Sequence, residues 1–235
     1  MEDLPWLREI WSRIVPPAAA PSIDTAMLWP VLVVALLICG LPVVWRRVRL
    51  GVTLVHELGH AFVGVLVGRR FTGFVLRGDM SGAAVTQGKP RGFGRVATTW
   101  AGYPAPAIVG AALAWFAGRG WAAPTITLLI LLLLIALLRV RSWLTAGVVL
   151  LALGGLAALW WWRDDSIQAL VLLGIAIVLI VGAWRHLGAV VAQPSPSSDP
   201  GVLAQLTRIP AFVWNLSIAA VCGLATWYVA QFFLS

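Results

Sequence analysis

Apolar residues run along this chain in long blocks separated by short polar clusters, and seven such blocks fall at 27–45, 50–68, 97–117, 122–138, 144–162, 167–184 and 211–233. Each is near the roughly 20 residues that an α-helix needs to cross the hydrocarbon core of a bilayer. The pattern predicts an all-α polytopic membrane protein of about six to seven transmembrane helices. Residues 71–96 break it, because Phe71, Phe74, Val75 and Val85 are interspersed with Thr and Gly around the turn signal GDMSG, ahead of GKPRGFGR. A small β-hairpin is expected there, after the second block, with strands near 71–77 and 83–87 and a turn at 78–82. In block 97–117, Gly102, Pro104 and Pro106 bend the helix and free backbone groups at membrane depth. Such breaks persist only where protein or a water-filled cavity satisfies them, so AGYPAP is expected beside a functional site.

Residues 1–25 mix charges with Trp6, Trp11 and prolines and lack the pattern of a signal peptide. They read as an N-terminal interfacial segment. Residues 26–235 read as one membrane-embedded domain that includes the 71–96 hairpin loop and a 185–210 loop. Treating the seven blocks as independent crossings puts most of the seventeen Arg and Lys residues on the side that holds the N-terminus and the hairpin. The positive-inside rule then makes that side cytoplasmic.

Composition agrees with a membrane location. The chain is 60% hydrophobic, 11% charged and has a mean hydropathy of +0.91, a balance outside the range of soluble globular domains. The net charge of +8 comes from arginines between the apolar blocks, which suits the bilayer's anionic headgroups. No basic face with interleaved aromatics appears, so nucleic acid is not an expected partner. Tryptophans such as Trp45, Trp121, Trp143, Trp160 and Trp184 sit at block edges, as in an interfacial belt. Cys39 and Cys222 lie in separate apolar blocks and read as free thiols. The Arg-rich, Lys-poor composition suggests a GC-rich bacterial genome, and with it the bacterial plasma membrane.

The chemistry enters in block 50–68, LGVTLVHELGHAFVGVLVG, which sets His56, Glu57 and His60 in an otherwise apolar run. On a helix an i, i+4 pair lies on one face about one turn apart, so His56 and His60 can hold one zinc ion per chain. Glu57 follows the first ligand and can act as general base and acid, taking a proton from an activated water and passing it to a leaving amine. Ionisable groups in hydrocarbon cost roughly 2.5–3.5 kcal/mol on insertion scales, so their presence there argues for function. Gly64 and Gly68 form a small-xxx-small pair suited to close helix packing, within the chain or in a homo-oligomer.

Catalytic zinc sites take three protein ligands. Of the nine Asp and Glu residues, Glu2, Asp3, Glu9 and Asp24 precede the first block, and Asp164 and Asp165 sit beside Arg163 on the side opposite the hairpin, where they read as solvated charges. Three candidates remain. Asp79 lies in the hairpin turn, His186 follows Arg185 at a block end and reads as interfacial, and Asp199 sits in PSSDPG on the hairpin side.

These residues resemble the bacterial site-2-protease-type intramembrane zinc metalloproteases, in the short branch without a PDZ domain. The likeness rests on HELGH, the Gly-rich hairpin after it, AGYPAP opening the next block and SSDPGVLAQL before the last, over residues 50–230. The family's Ser-Asp-Ala-like motif matches Ser198-Asp199-Pro200, so the resemblance implies Asp199 as third metal ligand over Asp79. It also implies hydrolysis of peptide bonds within or near transmembrane segments. The expected partner is a membrane-protein substrate, presented as an extended strand to the hairpin edge, with a regulatory membrane partner as a further possibility. The chain departs from the family in lacking an Asn in the AGYPAP segment and an Asn-Pro…Asp-Gly motif, its sole asparagine being Asn215. The oxyanion-stabilising residue is therefore unassigned. Arg141 offers a positive charge but reads better as a span-end anchor. The alternative class is a non-catalytic metal-binding scaffold, or pseudoprotease; a transporter lacks the expected internal repeat.

Overall fold

The computed structural model describes residues 5–19 and 25–234. Glu2, Asp3 and Asp24, and with them parts of the 1–25 segment, lie outside the described residues. In chain order the elements are α1 (Pro5–Ile14), α2 (Thr25–Gly40), α3 (Pro42–Leu66), β1 (Arg70–Leu76), β2 (Gly82–Gln87), α4 (Phe93–Trp100), α5 (Ala105–Gly118), α6 (Ala122–Leu137), α7 (Trp143–Trp161), α8 (Asp165–Ala192), α9 (Asp199–Thr207) and α10 (Ala211–Leu234). By length and composition α7, α8 and α10 can each cross a bilayer, whereas α5 and α6 are shorter apolar helices of 14 and 16 residues. α2 and α3 qualify together but are bent by 98°. The protein is thus a helical, polytopic membrane protein with one two-stranded antiparallel hairpin.

The break between α2 and α3 falls at Leu41, not at the basic cluster Arg46, Arg47 and Arg49, which lies inside α3. Arginine is a good helix former and interrupts nothing. Pro42, by contrast, lacks an N–H and has φ preset for a first helical turn, so it starts α3 where Gly40 ends α2.

This bend changes the side assignment. The hairpin packs at the start of α7, where the Leu76 N–H donates to Thr145 Oγ1 over 2.8 Å. α1 packs at the other end of the same helix. Arg13 donates to the Trp160 and Trp161 carbonyls and lies over both indoles, while Arg163 donates to the Ser12 carbonyl. α1 and the hairpin are therefore at opposite ends of α7. The expectation of a shared side counted α3 as an independent crossing; a helix bent back by 98° from α2 does not add one.

Lipid tails are as apolar as side chains, so helix association in a bilayer depends on close packing of small residues. α5 and α8 meet in this way through Ala107, Ala114, Ala176 and Ala183, all fully buried. A Cβ on Gly110 would come within 2.8 Å of the Ala176 carbonyl oxygen. Gly182 admits Val52 of α3 to the same core. Gly64 instead faces Thr86 and Thr98, and Gly68, at φ +76°, ends α3. Of the expected glycine pair, Gly64 brings α3 close to both β2 and helix α4, and Gly68 is a helix stop.

The hairpin is held on both flanks. β1 and β2 pair from Arg70↔Gln87 to Leu76↔Gly82. Beyond β1, Phe74 exchanges backbone hydrogen bonds with Arg139 and Arg141 at 3.0 and 3.1 Å, and Arg141 donates to the Thr72 carbonyl over 2.8 Å. Arg141 is therefore a hairpin brace. The buried Arg69 donates to Thr86 Oγ1, the Thr86 carbonyl and the Lys89 carbonyl, tying β2 to the end of α3. The 185–210 loop is shorter than the sequence suggests: residues 185–192 continue α8, since no helix breaker precedes Pro194, and α9 begins at Asp199.

Candidate metal centre and active site

Successive residues of a helix turn by about 100°, so Thr53, His56, Glu57 and His60 share one side of α3. The His56 and His60 rings meet edge to face, with centroids 4.8 Å apart and Nε2 atoms 3.1 Å apart. Asp199, brought in by the first turn of α9, places Oδ2 3.3 Å from His56 Nε2 and 3.1 Å from His60 Nε2. Ser198 holds that turn by accepting from the Gly201 N–H. Among the described residues, His56, His60 and Asp199 form the group able to hold a metal ion.

His60 Nδ1 lies 2.7 Å from the Thr98 carbonyl oxygen. A carbonyl can only accept, so Nδ1 carries the proton and Nε2 turns its lone pair towards the other two donors. Asp199 Oδ2 is buried and meets no hydrogen-bond geometry with either imidazole. Three electron-rich atoms thus converge at edges of 3.1–3.3 Å, and without a cation or a shared proton they would repel. Ligands about 2.0–2.1 Å from a tetrahedral zinc stand roughly 3.3 Å from one another, so this triangle has the size a zinc ion requires.

A glycine lies against this triangle. A Cβ built on Gly102 would clash with the Nε2–Cε1 edge of His60 and lie 2.7 Å from His56 Nε2, so only a glycine lets the backbone pass beside both metal-facing nitrogens. The residues present therefore fit a metal.

Glu57 is only 4% exposed, and no Arg or Lys among the described residues pairs with it. β2 roofs it: a Cβ on Gly82 would come 2.5 Å from Oε1, and the Ala84 N–H donates to the carboxylate. Thr53 Oγ1 shares its one proton between the Arg49 and Met80 carbonyls at 3.0 and 3.1 Å, linking α3 to the turn that leads into the roof. Its charged neighbours are His56, His60 and Asp199. A carboxylate left without a cation at this burial is costly unless the site uses it.

The other candidates separate cleanly. Asp79 is exposed and turned into its own loop, where Ser81 donates to Oδ1 from both N–H and hydroxyl at 3.0 and 2.7 Å. These bonds hold its carboxyl below the ordinary aspartate value. Asp165 pairs with Arg163, Asp164 caps α8 and Glu9 pairs with Arg13. His186, expected at the interface, instead faces the centre from within α8, its ring 6.2 Å from that of His56 and its Nε2 buried without a partner. The sequence singled out the AGYPAP segment but not Tyr103, whose ring stands edge-on to His56 with centroids 4.9 Å apart. Nor did it single out Arg49, whose charge acts on Tyr103 and His186. Arg49 lies seven residues before His56, two turns along the same face, and that spacing was the available signal.

A membrane-embedded helical bundle that carries HExxH beneath a hairpin and closes a three-donor centre with a distant Asp is built as an intramembrane metalloprotease. The chain belongs to the Peptidase M50B-like family, whose model matches residues 29–229, the family of the site-2 proteases. No PDZ domain is found. No curated protein and no solved structure matches the chain.

Proposed function

We propose that the protein is an intramembrane zinc endopeptidase in which His56, His60 and Asp199 hold one zinc ion and Glu57 is the general base and acid. The observation that carries this reading is the convergence of the three donor atoms beside Gly102. Zinc bound there would polarise the scissile carbonyl and lower the pKa of a water to about 7. Glu57 takes one proton from the attacking water as its oxygen bonds to the carbonyl carbon. The C–N bond then breaks and the proton passes to the departing nitrogen, so one peptide bond and one water give a carboxylic acid and an amine. The hydrophobic roof of β2 over Glu57 keeps bulk water from that proton.

A helical peptide bond is shielded by its own hydrogen bonds, so the substrate is a transmembrane segment presented as an extended strand. The outer edge of β1 is taken by residues 139–141, so the strand acceptor is the outer edge of β2, where an incoming strand must displace the bonds of the Ala84 N–H to Glu57 and of Arg69 to the Thr86 carbonyl. With Arg8, Arg13, Arg119 and Arg163 grouped at the α1 end and the other basic residues towards the hairpin, positive-inside counting supports a cytoplasmic hairpin in a bacterial plasma membrane and α1 outside.

Elemental analysis of the protein reconstituted in lipid tests the site, together with cleavage of single-span reporters whose spans contain helix-weakening residues. About one zinc per chain is expected. It should be lost in His56→Ala and His60→Ala, strongly reduced in Asp199→Ala and unchanged in Asp79→Ala. Chelator should stop cleavage and added zinc restore it. A wild type that takes up no zinc, or Asp199→Ala that keeps it at full affinity, would overturn the ligand set.

A further inference from the structure

Hydrolysis requires a donor for the negative charge that develops on the carbonyl oxygen, and such a donor is usually the largest single electrostatic contribution to catalysis. Three side chains around the centre carry hydrogen-bond donors outside the metal group: Arg49, Tyr103 and His186. Of these, His186 stands farther from His56 than Tyr103 does, with ring centroids 6.2 against 4.9 Å and its Nε2 buried, and the Arg49 guanidinium makes no hydrogen bond or ion pair with the metal group. The Tyr103 hydroxyl is not closed off, and it makes no hydrogen bond among the described residues. Its ring is fixed edge-on against His56, one residue beyond Gly102, where a Cβ would clash with both metal-facing histidines, and Pro104 follows it. The charges that act on the hydroxyl are Asp199, Arg49 and Glu57, so it stands within the field of the same groups that surround the reacting bond. Arg49 among them offsets the two carboxylates.

From this geometry we infer that Tyr103 is a further catalytic residue, whose hydroxyl donates a hydrogen bond to the carbonyl oxygen of the scissile peptide as that oxygen gains charge. The inference rests on the endopeptidase reading above. The O–H bond stays intact throughout; the proton that reaches the leaving nitrogen comes from water through Glu57.

Tyr103→Phe keeps the ring against His56 and removes only the donor. The test compares this variant with wild type in zinc content, in kcat and KM on one reporter, and in affinity for a peptidyl phosphonate, whose tetrahedral anion mimics the charged oxygen. Expected are an unchanged zinc content, a fall in kcat of about 10²-fold with little change in KM, and phosphonate binding weakened at least about tenfold. Equal kcat and equal phosphonate affinity would overturn the inference, as would zinc loss in Tyr103→Phe, which would make the residue part of the metal cradle. A wild type without zinc or cleavage would instead sink the endopeptidase reading itself, and with it this role.

Discussion

One side of α3 carries Thr53, His56, Glu57 and His60 against the hairpin, Gly102 and α9, while the remainder carries Val55, Leu58, Phe62 and Val63 towards an apolar cavity of about 1230 Å³ bounded by α2, α5, α7 and α8. On the first side small residues at Gly82, Ala84 and Gly102 let backbone approach the chemistry closely. On the second the walls are almost wholly hydrocarbon, and Phe62 is 65% exposed. Two materials on one helix separate two tasks: position is held by backbone contacts on one side, and contact with lipid is left to interchangeable side chains on the other.

The contrast can be broken most decisively at Glu57. Glu57→Gln should lower cleavage by about 10³-fold while zinc content stays at the wild-type level, because only the proton acceptor is removed. A variant retaining a tenth of wild-type activity would mean that the polar side does not carry the chemistry. Next in size is Gly102→Ala, which drives a methyl group against both metal-facing histidines and should abolish zinc uptake while circular dichroism reports an intact helical fold; stoichiometric zinc in this variant would refute the close fit. A smaller effect is expected at the hairpin. Arg69→Ala removes three charge-assisted hydrogen bonds and should destabilise β2 by about 2 kcal/mol, read as faster amide exchange at Thr86 and Gln87 with zinc retained. Smallest is Phe62→Ala on the apolar side. It should change stability by no more than about 0.5 kcal/mol and leave kcat and KM near wild type. A large rise in KM there would show that substrate docks against that side too, and the division of tasks would fail.

What the sequence disclosed follows from how local each signal is. Apolar blocks and the i, i+4 histidines are local, and α6, α7 and α10 begin and end within a few residues of the expected positions. The hairpin registers as expected because GDMSG can form only a turn between two short apolar stretches. Asp199 is 139 residues from His60 along the chain. No periodicity connects the two, and elimination with the family resemblance was needed to favour it. His186 was misjudged because Arg185 lowers the local hydropathy, although helix propensity carries α8 on to Ala192. The side count failed at a single proline, since one bend after Gly40 changes the parity of every later crossing.

The short helices carry a consequence for the membrane itself. α5, with 14 residues, and α6, with 16, rise only about 21 and 24 Å, against a hydrocarbon layer of about 30 Å. Lipids along that flank must shorten or splay to keep their headgroups level with the helix ends, a hydrophobic mismatch that costs fractions of a kcal/mol per Å. Since α5 is largely buried and α7, α8 and α10 are long enough to cross, such thinning would be confined to the α6 flank. On the function proposed above, a transmembrane substrate of ordinary length that approached this flank would be too long for its surroundings before it met the candidate centre.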